Sequence, residues 1–228
     1  MKPIEQLEQF LQTHPEIEIF EVILHDLNGI HRGKWLPREQ IHKLFEGGYK
    51  MPQSTCSLDS WGRDLEQLVK ATGDTDGICR PHPETLALVP WASRPTAQII
   101  VSMLSPDGQS DYPADPRVVL QQVLERYTKL GLTPVVASEM EFHLLEIDRD
   151  QFGRPQHSQR ALDGSPALGG ATYGIEAMRK IAPLMDAISS AARQQNLPVD
   201  TLISEFGASQ CEINLHHQDS ALRACDQA

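Results

Sequence analysis

Pro134-Val-Val-Ala-Ser-Glu-Met-Glu-Phe-His-Leu-Leu-Glu146 carries two glutamates one residue apart inside an apolar run. Side chains on a strand alternate faces with period two. Glu139, Glu141 and His143 therefore share one face, and Val136, Met140, Phe142 and Leu144 share the other. The apolar face suits a core. Neighbouring carboxylates on the opposite face repel and resist burial unless a cation lies between them. A second segment, Ser204-Glu-Phe-Gly-Ala-Ser-Gln-Cys-Glu-Ile-Asn-Leu-His216, holds another pair, Glu205 and Glu212. Several carboxylates together suit a hard divalent ion bound through oxygen. The alternation by itself fits as well an open strand face that meets solvent.

Composition narrows the classes. The chain has 228 residues, 40% hydrophobic and 22% charged, as in a soluble globular protein of one large or two ordinary domains. Its net charge of −11 excludes nucleic acid and anionic membrane surfaces as passive partners. No apolar run reaches membrane-spanning length, and Met1-Lys-Pro-Ile-Glu5 carries no apolar signal region. Cys56, Cys79, Cys211 and Cys225 have neither close pairing nor zinc-ligand spacing. They read as free thiols of a cytoplasmic protein.

Moving outward, Ile4, Leu7, Phe10 and Leu11 predict a helix over 3–12. Glu16 to Asp26 reads as a strand. Asn28-Gly29 predicts a tight hairpin, with Ile30 to Leu36 as the returning strand. A helix is expected over Arg38 to Glu46, ending at Gly47-Gly48, and further strands over Thr85–Pro90 and Gln98–Leu104. Asp115-Pro116 is a helix start, an N-cap followed by proline, and Gly131 marks its end. Residues 148–172, rich in Gly, Pro, Gln and Ser, predict a long surface loop. A helical stretch follows over Ile175 to Asn196, broken or kinked at Pro183.

In order along the chain these motifs resemble the glutamine synthetase family. Ser138-Glu-Met-Glu-Phe-His-Leu-Leu145 is similar to its first metal strand, and Ser204 to His217 to its second metal segment. Asp26-Leu-Asn-Gly-Ile-His-Arg-Gly-Lys-Trp-Leu-Pro37 resembles the start of its β-grasp domain. Val89-Pro-Trp91, Asp107-Gly108 and Asp115-Pro-Arg117 fall in the family's order. The branch that includes γ-glutamylpolyamine synthetases is the nearest in flavour.

The resemblance implies an α+β fold, with an N-terminal β-grasp domain over 1–108 and the first, truncated part of an α/β catalytic domain over 109–228. It implies an ATP-dependent ligase that forms a γ-glutamyl amide from glutamate and ammonia or an amine, through a γ-glutamyl phosphate. Mg²⁺ or Mn²⁺ serves as cofactor beside ATP. Glu141, Glu205 and Glu212 would hold one ion, and Glu139 would contribute to another. His216 and Tyr173 would lie near the nucleotide, although each reads equally well as a surface residue. The full-length protein would form a homo-oligomeric ring. No catalytic residue is assigned, because the family's remaining ligands, arginines and glutamate loop lie beyond residue 228. The chain alone is therefore expected to be inactive.

Two departures bear on the substrate and the site. Met51-Pro-Gln-Ser54 stands where ammonia-using members carry Phe-Asp-Gly-Ser, so a carboxylate for ammonium is missing and a larger amine gains ground. Ser209-Gln210 replaces the usual Gly-Gln, which puts a Cβ where glycine is the rule. Two other classes stay open: a non-catalytic relative or fragment acting as an assembly or binding module, and an unrelated carboxylate-metal hydrolase.

Overall fold

The computed structural model describes residues 1–158, 170 and 172–228. It divides into two units, Met1–Pro134 and Val135–Ala228. Both mix helices and sheet, as the α+β reading expects.

The first unit opens with α1 (Pro3–Thr13), whose Leu7 and Leu11 are buried. The hairpin forms from β1 (Ile19–His25) and β2 (His31–Pro37), antiparallel from Ile19 opposite Pro37 to His25 opposite His31. Asp26, 1% exposed, anchors its turn. Its carboxylate accepts the N–H groups of Asn28 (2.8 Å) and Ile30 (2.9 Å) and the Arg32 Nε–H (2.9 Å). Burial raises the pKa of this carboxyl, but those donors outweigh it and hold the group below its usual value. Arg38 follows β2 and donates to the carbonyls of Leu11 (2.9 Å) and His14 (2.9 Å), which α1 leaves unpaired at its end.

The expected helix over 38–46 is shorter. A 3₁₀ turn at Arg38–Gln40 precedes α2 (Ile41–Phe45). Three further elements have no strong sequence signal: β3 (Lys50–Pro52), α3 (Glu66–Thr72) and β4 (Asp76–Pro81). The strand expected at 85–90 shrinks to β5 (Ala87–Leu88), because Pro83–Thr85 closes into a 3₁₀ turn. β6 (Thr96–Leu104) is the buried centre, parallel to β1 and antiparallel to β4 and β5. The sheet order is β2-β1-β6-β4-β3, with β5 also on β6. Phe20, Val22, Leu24, Ile99, Val101 and Met103 form the heart of the core.

α4 (Pro116–Lys129) starts where Asp115-Pro116 predicts. The Asp115 carboxylate accepts the Arg117 N–H (2.9 Å) and also the Met103 N–H of β6 (2.7 Å), so one buried cap fixes the helix start to the central strand. Beside it, Arg117 donates to His82 Nε2 (2.9 Å), which lies 2.6 Å from Ser102 Oγ.

The second unit contains β7 (Glu139–His143), α5 (Ile175–Lys180), α6 (Ala182–Gln194), β8 (Val199–Ser204), β9 (Gln210–Leu215) and α7 (Ala221–Gln227). Its sheet runs β7-β9-β8, antiparallel throughout. The helical stretch breaks at Ile181, with Pro183 inside the first turn of α6, where a missing N–H costs least. Residues 159–169 and 171, most of the end of the loop expected over 148–172, lie outside the described residues. The cysteines are free, with Cys56, Cys79 and Cys211 buried.

Burial and the charges of Arg117 and Arg80 push the His82 pKa down to about 3. The folded state therefore keeps His82 neutral, while the unfolded chain takes up that proton below about pH 6.5. Stability should fall as pH drops from 6.5 towards 3, by up to about 1.4 kcal/mol per pH unit from this group. Thermal melts of His82→Gln across that range should show the acid slope reduced by that amount. An unchanged slope would place the acid sensitivity elsewhere.

Candidate metal centre

β7 carries its glutamates as the alternation predicts. Glu139, Glu141 and His143 are exposed, and Met140 and Phe142 between them are half-buried. β9 lies antiparallel beside it with Glu212 directly opposite Glu141 and Asn214 opposite Glu139. Like charges directly across a sheet are unfavourable, by roughly 0.2–1 kcal/mol.

Glu205 reaches the same place from a different element. It follows the last residue of β8, and its N–H donates to the Gln210 carbonyl (3.0 Å), which closes the turn into β9. Ser209 makes that turn at φ +57, a left-handed conformation that a residue with a Cβ rarely adopts. Its Oγ donates to the Ser158 carbonyl (2.5 Å).

Glu141, Glu205 and Glu212 each bring a carboxylate oxygen within 4.8 Å of the others, the one such group among the described residues. Oxygen bonds of about 2.0–2.6 Å to one ion allow ligands about 4–5 Å apart, so the donor set fits a single Mg²⁺- or Mn²⁺-type cation. Glu141 is exposed, and Glu205 and Glu212 are half-buried, which leaves a side open for further ligands.

The other candidate residues are not part of this group. Glu139 shares the face of Glu141 but is not part of the group. Tyr173 has φ +56 and an exposed side chain, and its N–H donates to the Ser204 carbonyl (2.7 Å), one residue before Glu205. His216 falls just past β9. Its N–H donates to the Pro198 carbonyl (2.8 Å), and its Nδ1 lies 3.6 Å from Asp200 Oδ1. Gln210, named in the sequence only for the Ser209-Gln210 departure, makes a contact that the sequence does not announce. It shares the β9 face with Glu212, and its side-chain amide donates to the Glu141 carboxylate.

Comparisons with known proteins agree on the family. Residues 113–228 match the glutamine synthetase catalytic domain. The γ-glutamylputrescine synthetase PuuA of Escherichia coli K12 is 32% identical over 228 residues, covering 98% of this chain and 48% of that protein. The glutamate–isopropylamine ligase of a Pseudomonas species is 25% identical over 238 residues, covering 100% of this chain and 49% of that protein. A solved GmaS/ADP complex superposes with a TM-score of 0.76 at 22% identity, over 96% of this chain and 46% of that one, a likeness of fold. The chain belongs to the glutamine synthetase family. It spans about half the length of the curated relatives it matches.

Glu212→Gln removes the charge opposite Glu141. In metal-free buffer the variant should gain about 0.5 kcal/mol of stability, seen as a higher thermal midpoint. The stabilisation that saturating Mn²⁺ gives the parent should vanish in the same variant. A midpoint that drops in chelator would mean that the two carboxylates do not repel.

Proposed function

We propose that this chain is the first half of a glutamate–amine ligase that joins the glutamate γ-carboxyl to an amine at the expense of ATP. The convergence of Glu141, Glu205 and Glu212 in a member of this family carries the reading. A β-grasp-like domain over 1–108 and the start of the catalytic domain over 109–228 are the corresponding division, supported by a family match that begins at residue 113. The three carboxylates would hold a divalent ion, and Glu139 would contribute to a second ion with ligands outside this chain. Tyr173, whose backbone is fastened beside Glu205, and His216 would border the nucleotide.

Phosphoryl transfer to a carboxylate needs charge neutralisation and in-line placement more than covalent help from the protein. A bound divalent ion supplies that neutralising charge. The residues here do the rest of the local work. Glu141, Glu205 and Glu212 would fix the ion's place, and the β7–β9 register sets Glu141 opposite Glu212. In a full-length enzyme, ligands outside this chain would complete the site. A closed ring of full-length subunits is the assembly that fits this family, since head-to-tail contacts that close give rings.

The nitrogen donor is proposed to be an organic amine. Met51-Pro-Gln-Ser54 contains no carboxylate, and Met51 is buried in β3. Ammonium needs a close anion, whereas an alkylamine gains about 0.8 kcal/mol for each methylene it buries. Two relatives are named for amine substrates, putrescine and isopropylamine. The test is phosphate release by full-length protein with glutamate, ATP and Mg²⁺, comparing putrescine, simple alkylamines and ammonium. Turnover should require glutamate and favour an amine. A preference for ammonium would leave ordinary glutamine synthesis, and no glutamate-dependent turnover would remove the ligase reading. The 228-residue chain should be inactive in every arm.

A further inference from the structure

Gln210 is a polar side chain on the glutamate face that the metal reading leaves unused. Its amide is engaged at both ends. The side-chain carbonyl accepts the Gly207 N–H (2.6 Å), and the NH₂ donates to the Glu141 carboxylate. Gln210 precedes Glu212 by two residues on β9, so it lies diagonally across from Glu141 on the same face. Glu141 meets repulsion from Glu212 opposite and from Glu205 beside it. The Gln210 amide is the hydrogen-bond donor to that carboxylate among the described residues.

The turn is shaped around this amide. A Cβ on Gly207 would lie 2.5 Å from Gln210 Oε1 and 2.8 Å from His143 Cε1, so glycine leaves the amide its seat. His143 donates from Nδ1 to the Ala208 carbonyl (3.3 Å), and Ser209 holds the other flank through Ser158. The Ser209 contact stabilises the turn without touching a carboxylate.

We infer that Gln210 is a positioning residue of the carboxylate centre: its amide, fastened to the Gly207 N–H, holds Glu141 within reach of the ion shared with Glu205 and Glu212. Partners behind metal ligands set ligand orientation, and their loss typically weakens metal binding about 10–100-fold. One carboxylate oxygen of Glu141 engages the amide, and an ionised carboxylate has acceptor sites left for an ion. The inference rests on the divalent-ion reading proposed above.

The experiment is a Mn²⁺ titration of the 228-residue chain, followed by electron paramagnetic resonance of free Mn²⁺. The parent is compared with Gln210→Ala, Gln210→Met and Ser209→Ala, each checked for folding by circular dichroism. Both Gln210 variants should raise the Mn²⁺ dissociation constant about tenfold, and Ser209→Ala should raise it by clearly less. In metal-free samples, the Gly207 amide should exchange with solvent faster in the Gln210 variants than in the parent. Equal weakening by Ser209→Ala and Gln210→Ala would make Gln210 a turn-stabilising residue and overturn the proposal. Full Mn²⁺ affinity in both Gln210 variants, or unchanged Gly207 exchange, would also overturn it while leaving the metal centre standing. A parent chain that binds no Mn²⁺ would remove the centre itself, and the proposal with it.

Discussion

The antiparallel register of β7 on β9 sets Glu141 directly opposite Glu212, and much of the second unit follows from that pairing. Carboxylates so placed repel, and the fold brings a third, Glu205, within 4.8 Å of both. Such an arrangement makes physical sense when a cation offsets the repulsion. The apolar side of the same strands pays for holding the pair. Cys211, Ile213 and Leu215 of β9 are buried, so a slip of one residue would turn them to solvent. Burial on one face therefore locks the carboxylates on the other.

Legibility in the sequence followed the period. The β7 face was readable because Glu139, Glu141 and His143 alternate with apolar residues in a short, regular strand. The meeting of Glu205 with Glu212 was not readable by alternation. Their odd spacing puts them on opposite faces of any single strand, and only the turn at 205–209, with Ser209 at φ +57, brings them together. Resemblance to the family supplied that link instead. The contact of Gln210 with Glu141 is not legible because amide side chains carry no charge signal, although even spacing from Glu212 places Gln210 on the glutamate face.

In the first unit the hairpin, β6 and the capped start of α4 were plain from Asn28-Gly29, from the apolar run before Leu104 and from Asp115-Pro116. The elements that escaped were short or weakly patterned. β3 has three residues, α3 buries none of its side chains, and β4 contains Gly77 and ends at Pro81. Tertiary pairing with β6 creates β4, and no local propensity announces it. The contacts of Asp115 with Met103 and of His82 with Ser102 were hidden, because each depends on partners brought together by the sheet.

The central claim is that three glutamates from three places in the chain form one ion site. Anomalous diffraction from crystals of the chain soaked in Mn²⁺ tests it most directly. The account predicts an anomalous peak about 2.0–2.6 Å from carboxylate oxygens of Glu141, Glu205 and Glu212. A peak bound elsewhere, or Glu141 turned away from the other two with no ion between them, would contradict it.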